Sequence, residues 1–172
     1  VMDAGATGVM VPMIKSAGDA KAAVNGVYYP PRGQRGVGLA RAQGYGASFP
    51  AYRAWLEDNA VIVVMIEHVD AVQAIDEILA VPGIDAYIIG PYDLSGSMGR
   101  PGDLNHPDVQ TAIAQVLEAG RRAGKSGPQQ QRNQYHAHAR GNAVEEAEQA
   151  AANRQPGAAQ MQLVGVQPAP CG

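Results

Sequence analysis

The sequence predicts an α/β fold built on a parallel sheet, and two observations predict it. Short apolar runs alternate with amphipathic stretches through residues 1–125, the region that holds every isoleucine of the chain. The runs are apolar at consecutive positions, as strands covered on both faces are. In chain order, Thr7-Gly8-Val9-Met10-Val11-Pro12 is a first strand, ended by proline. Ser16 is placed to cap a helix through Asp19, Ala20, Ala23 and Val24. Residues 28–46 are glycine-rich and lack a period, which makes them a long loop. Phe49–Asn59 reads as helix, with Pro50 near its start. Val61-Ile62-Val63-Val64-Met65-Ile66 is β-branched and the strongest strand. Val69, Val72, Ile75, Ile78 and Leu79 share one helical face, so the spacing predicts one helix over 69–79, stopped by Pro82-Gly83. Ala86-Tyr87-Ile88-Ile89 is a third strand, and residues 106–124 form a helix capped near Asn105 or His106.

Composition excludes several function classes. The 172 residues fit about one domain, and 13 basic against 16 acidic side chains give a net charge of −3. That balance offers no basic footprint for nucleic acid and nothing to an anionic membrane. The longest apolar run, residues 60–66, is far short of the ~18 residues that span a bilayer. No basic-then-apolar leader opens the chain, so a cytoplasmic location is expected. Cys171 is the single cysteine, and no Cys/His group has zinc spacing.

Residues 126–172 read differently from the rest. They are rich in glutamine, and their only branched aliphatics are Val144, Leu163, Val164 and Val166. Such a stretch buries too little apolar surface to offset its ordering entropy. It is expected to be a disordered polar tail, or a scrambled or frameshifted end standing where a strand should be. The short Met161-Gln162-Leu163-Val164-Gly165-Val166 would be what is left of that strand.

A parallel sheet carries its chemistry at the carboxyl ends of its strands. Glu67 follows the second strand, and Asp93 sits in Gly90-Pro91-Tyr92-Asp93-Leu94-Ser95 after the third. Adjacent strands lie ~4.8 Å apart, so both carboxylates can reach one small cation. Two oxygen donors with open positions suit Mg²⁺ or Mn²⁺ holding water and substrate. The bland alternative for either acid is a carboxylate favoured by a helix N-terminus. His68 is expected on the other strand face as a helix-start group, and His106 as a cap. His136 and His138 lie in the polar tail. Arg35 either cradles an anion or braces its glycine-rich loop. Gly33, Gly36 and Gly38 lack the strand and helix of a phosphate loop. Ser95 and Ser97 have no histidine in a nucleophile pattern, and Lys15 ends no strand, which argues against a Schiff base.

Four motifs in order carry a resemblance: Val11-Pro12-Met13; Tyr29-Pro30-Pro31 with Gly33-Gln34-Arg35-Gly36-Val37-Gly38; Ile66-Glu67; and Gly90-Pro91-Tyr92-Asp93-Leu94-Ser95. Over residues 1–125 the chain resembles the HpcH/HpaI aldolase family. These are class II pyruvate aldolases of the 4-hydroxy-2-oxoheptanedioate aldolase type, more distantly related to the citrate lyase β-chain. The resemblance implies a partial (β/α)₈ TIM barrel, similar to strands four to six with their helices. It implies a divalent metal (Mg²⁺, Mn²⁺ or Co²⁺) on Glu67 and Asp93. Tyr92 and Asp93 match a turn whose backbone amides receive the pyruvate carboxylate. Met65 stands where some members have a glutamine that touches the keto acid. Asp3 matches an acidic residue associated with the family's catalytic histidine.

A barrel of this type needs about 250 residues. The family's first three strands would precede Val1, and with them the base histidine and the arginine that grips pyruvate. No catalytic residue is therefore assigned within this chain, and the isolated piece is expected to be inactive. The implied reaction is retro-aldol cleavage of a small 4-hydroxy-2-oxo acid to pyruvate and an aldehyde such as succinic semialdehyde, in a homo-oligomeric full-length enzyme. Two rivals stand beside it. One is an acyl-CoA lyase for malyl- or citramalyl-CoA, which needs a basic groove and has Arg32, Arg35 and Arg41 as candidates. The other is an inactive truncated remnant.

Overall fold

The computed structural model describes residues 1–128. The tail histidines His136 and His138 and the strand remnant at 161–166 lie outside the described residues. Strands β1 (Gly8–Val11), β2 (Val61–Ile66) and β3 (Ala86–Ile89) form one parallel sheet in the order β1-β2-β3. Gly8 stands opposite Val61, and Val63 opposite Ala86. Helices α1 (Ala17–Val27), α2 (Phe49–Asn59), α3 (Val69–Gln73), α4 (Ile75–Leu79), α5 (Pro91–Ser97) and α6 (Pro107–Arg122) fill the connections. Two short 3₁₀ segments, Met2–Ala4 and Arg41–Gly46, complete the list of elements. Consecutive strands paired in parallel, each followed by helix, are the repeating unit of a (β/α)₈ barrel, and this sheet is a portion of one. Beyond Lys125 the sheet continues by one step, because the Tyr87 N–H donates to the Ser126 carbonyl at 3.0 Å.

The strands fall where the apolar runs place them, but only one face of β2 and of β3 is fully covered, and no residue of β1 is fully buried. On β2, Ile62, Val64 and Ile66 are fully buried. They share a core with Val24 and Val27 of α1, Ile75, Ile78 and Leu79 of α4, and Val109, Ile113 and Val116 of α6. Val63 and Met65 on the opposite face are half-buried, and Val61 is exposed. A strand apolar on both sides with one side half-open is what part of a larger closed sheet presents.

Three elements differ from the sequence reading. The helix expected over 69–79 breaks at Ala74, whose φ of −97° and ψ of 13° are not helical. The Val72 carbonyl, which an unbroken helix would give to the residue four positions on, instead accepts from the Gln115 side chain of α6 at 3.3 Å. Pro91–Ser97 is a helix that periodicity missed, short and opened by a proline in its first turn. The loop over 28–46 contains a 3₁₀ segment and is pinned from within. Gln43, fully buried, donates to the Gly38 carbonyl at 2.6 Å and accepts from the Ala40 N–H at 2.7 Å.

Caps follow the expected chemistry. Ser16 Oγ accepts from the Asp19 N–H at 3.1 Å, and the Asp19 carboxylate accepts from the Lys15 N–H and the Ser16 hydroxyl. His106 caps α6 by accepting from the Asp108 N–H at 3.2 Å.

Two outcomes check this packing. A Cβ at Gly120 would lie 2.1 Å from the Tyr87 hydroxyl, so Gly120→Ala is expected to destabilise by about 1–3 kcal/mol in chemical denaturation. The Lys15 amide, followed by the Ser16 hydroxyl, holds the Asp19 carboxyl below its usual pKa. The stabilisation it adds is therefore complete above the unfolded value near pH 4 and fades as pH falls through the folded value. The stability gap between wild type and Asp19→Asn should close on acidification; a gap that persists at low pH would contradict the cap.

Candidate active site

β1, β2 and β3 end side by side, and the residues that follow them meet in one cleft of about 410 Å³. Its walls are Met13 after β1, Glu67 and His68 after β2, Tyr92, Asp93, Gly96 and Ser97 on α5, and Pro101 and Gly102 beyond it. Glu67 continues the half-open face of β2, two residues past Met65, by the two-residue alternation of a strand. Nevertheless it is only 4% exposed. Its Oε1 accepts from the Met13 N–H at 2.7 Å. Met13 has a left-handed φ of 54°, uncommon for any residue but glycine. Among the described residues Oε2 has no partner. A buried carboxylate with a free oxygen calls for a cation or a donor from outside, because desolvation of an unpaired charge is costly. Asp93, in the first turn of α5, is exposed, and its carboxylate makes no hydrogen bond among the described residues.

The fit to a divalent ion is that of an incomplete shell. The donors are hard carboxylate oxygens, as Mg²⁺ and Mn²⁺ prefer. Among the described residues no group of three or more His, Cys, Asp or Glu side chains assembles. An ion held here would need water or substrate for its remaining positions.

Tyr92 is 63% exposed in the cleft wall. Gly90 offers α5 no side-chain cap, so the Tyr92 and Asp93 amides in the first turn have no intrahelical acceptor. His68 caps α3 as expected, with Nδ1 accepting from the Asp70 N–H at 3.2 Å. The Asp70 carboxylate lies 3.3 Å from the same nitrogen. One nitrogen serves the amide as acceptor or the carboxylate as donor, not both at once. Although His68 departs from the strand, its ring still lines the Glu67 cleft. Ser97 Oγ accepts from the Val69 N–H at 3.0 Å and donates to the Leu94 carbonyl, tying α5 to α3. Ser95, fully buried, donates to the Tyr92 carbonyl at 2.7 Å and accepts from the Gly102 N–H at 3.0 Å. Both serines are braces.

Two sequence candidates stand apart from this cleft. Met65 does not line it. Asp3 is bonded to Arg35, in a separate groove with Val1, Met2 and Val11. Arg35 is 8% exposed, donates to Tyr52 Oη at 3.1 Å, and lies 4.6 Å from the centre of the Tyr29 ring. Burial works against its charge, but the bonds to Asp3 and Tyr52 outweigh burial and hold its pKa above the usual value. Of the two roles open to Arg35, the structure shows the loop brace. Gly90 and Met13 stand in the motifs read from the sequence, but sequence reasoning gave neither the Gly90 backbone nor the Met13 N–H a role. Nothing in a side chain announces the use of an N–H or of a missing Cβ.

The HpcH/HpaI aldolase/citrate lyase family model matches residues 1–155. The 2-keto-3-deoxy-L-rhamnonate aldolase of Klebsiella pneumoniae is 43% identical over 128 residues, 73% of this chain and 48% of its own length. The hydroxypyruvate/pyruvate aldolase of Roseovarius nubinhibens is 43% identical over 130 residues, 72% of this chain and 50% of its own. A solved HpcH/HpaI aldolase/citrate lyase family protein from Burkholderia cenocepacia superposes with a TM-score of 0.68 at 39% identity, covering 73% of this chain and 51% of that one. The chain spans about half the length of the curated relatives it matches. With strand-end carboxylates on a barrel portion and this match over most of its length, the chain belongs to the HpcH/HpaI aldolase/citrate lyase family.

Proposed function

We propose that residues 1–125 are the metal-carboxylate portion of a carbon–carbon lyase that splits a 4-hydroxy-2-oxo acid into pyruvate and an aldehyde, with 126–172 a low-hydrophobicity tail. The observation that carries this reading is Glu67, a buried carboxylate whose Oε2 has no partner among the described residues, in the cleft that Asp93 also lines. The names of the relatives, a 2-keto-3-deoxy-L-rhamnonate aldolase and a hydroxypyruvate/pyruvate aldolase, support the reaction class.

Glu67 and Asp93 would hold Mg²⁺, Mn²⁺ or Co²⁺, and such an ion when bound supplies Lewis-acid polarisation of the 2-oxo group. The free amides of Tyr92 and Asp93 would take the substrate carboxylate. Met65, where some members carry glutamine, contributes an apolar contact at most. Asp3 is committed to Arg35, so any effect on a histidine supplied from elsewhere runs through that pair. Among the described residues the cleft is lined by no lysine or arginine. The acyl-CoA rival has less support: Arg35 is buried against Asp3, and Arg32 is paired with Glu57 at 3.1 Å, which leaves only Arg41 of its three candidates.

Two measurements test the reading. Titration of Mn²⁺ into the full chain and into Glu67→Ala should show affinity lower by at least about tenfold in the variant; equal affinity would sink the assignment. In a lactate dehydrogenase-coupled assay with 4-hydroxy-2-oxo acids and Mn²⁺, the chain alone should release little pyruvate, because a positioned base is typically worth ~10²–10⁴-fold. Turnover on the order of 1 s⁻¹ or more would place the base within these residues, with His68 the first to mutate.

A further inference from the structure

We infer that Gly90 and the left-handed backbone of Met13 are positioning residues that clamp the Glu67 carboxylate from two sides; this rests on the metal reading above. On one side, the Met13 N–H meets Oε1 at 2.7 Å across 54 residues of sequence. Met13 combines this bond with a φ of 54°, and the next residue, Ile14, is buried in the core at 2% exposure. Unusual φ in a residue with a side chain persists where the surroundings over-determine it, and clusters at ligand sites.

On the other side, Gly90 has φ −99° and ψ 87°, a negative φ open to residues with side chains. The backbone conformation therefore does not demand glycine here. Glu67 does: a Cβ at Gly90 would lie 2.7 Å from Oε2 and 2.9 Å from the Glu67 Cβ. The second contact is close to the Glu67 backbone and cannot be relieved by rotating the far end of the side chain. Gly90 cannot retreat either. Its N–H donates to the Ile66 carbonyl at 3.1 Å, and its carbonyl accepts from the Leu94 N–H at 2.9 Å. The clamp thus draws on the chain after β1 and after β3 to fix a side chain after β2. Groups that orient a metal ligand typically change affinity 10–100-fold when removed.

The test uses the full chain with Mn²⁺ as probe, comparing wild type, Glu67→Ala and Gly90→Ala, with circular dichroism and thermal midpoint to establish folding. A second readout needs no metal: the amide proton shift of Met13 by NMR in wild type, Gly90→Ala and the isosteric Glu67→Gln. The clamp predicts a Met13 amide proton that moves upfield in both Glu67→Gln and Gly90→Ala, and Mn²⁺ affinity reduced about 10–100-fold in a folded Gly90→Ala. Wild-type affinity in Gly90→Ala with an unmoved Met13 proton overturns it. If Gly90→Ala does not fold, the Glu67→Gln shift decides alone. Undiminished Mn²⁺ binding in Glu67→Ala, beside Met13 shifts that do move, removes the metal reading and leaves the clamp standing.

Discussion

The alternation of β2 is the constraint from which both core and site follow. Side chains on a strand point to opposite faces in turn, so fixing Ile62, Val64 and Ile66 in the helix-covered core assigns Val63, Met65 and Glu67 to the other face. A slip of one residue would exchange the two sets. It would put a carboxylate under the helices and isoleucines into the cleft. Register with the neighbours, Val64 opposite Val11 and Ile66 opposite Ile89, then decides which chain segments surround Glu67. Hydrophobic burial on one face thus sets the position of a charge on the other.

The remaining polar contacts divide by task. Arg35 with Asp3 and Tyr52, and Gln43 with Gly38 and Ala40, hold the long loop after α1. Ser95 and Ser97 hold α5 and the turn after it. These donors and acceptors satisfy one another, as buried polar groups must. Glu67 differs: among the described residues only one of its two carboxylate oxygens has a partner. A buried carboxyl oxygen without a protein partner, on the wall of a cleft, is a candidate place for an outside ligand.

Much of this was legible in the sequence. Strands that are β-branched and continuous, such as Val61–Ile66, announce themselves; Pro12 marks the stop of the first strand, and Pro82-Gly83 lies just past the helical stretch that ends at Leu79. Glu67 and Asp93 were legible as residues following such strands, and the cleft brings them together. What was not legible depends on contacts between distant segments. The break at Ala74 goes with a hydrogen bond from Gln115, which no local periodicity records. The helix at Pro91–Ser97 is too short for a pattern. Arg35 stood equally between anion cradle and brace because the choice lay with Asp3 and Tyr52, far away in sequence.

That separation between local and distant information bears on what half a barrel retains. A cluster drawn from the ends of neighbouring strands survives in a contiguous piece, because Glu67 and Asp93 follow adjacent strands β2 and β3 joined by a single connection. Even Met13, which reaches Glu67 from the first strand, lies within the piece. Groups supplied by strands further round the barrel have no such protection, and barrel enzymes draw their catalytic residues from several strands. The cleft accordingly contains a carboxylate pair, a helix-capping imidazole and unpaired amides, with no lysine or arginine among its described walls. On the reading proposed above, such a site would hold a cation without holding the groups that turn over a 2-oxo acid. If that proposal holds, metal affinity and catalysis separate in this chain, since the first would need two adjacent strand ends and the second groups from further round the ring.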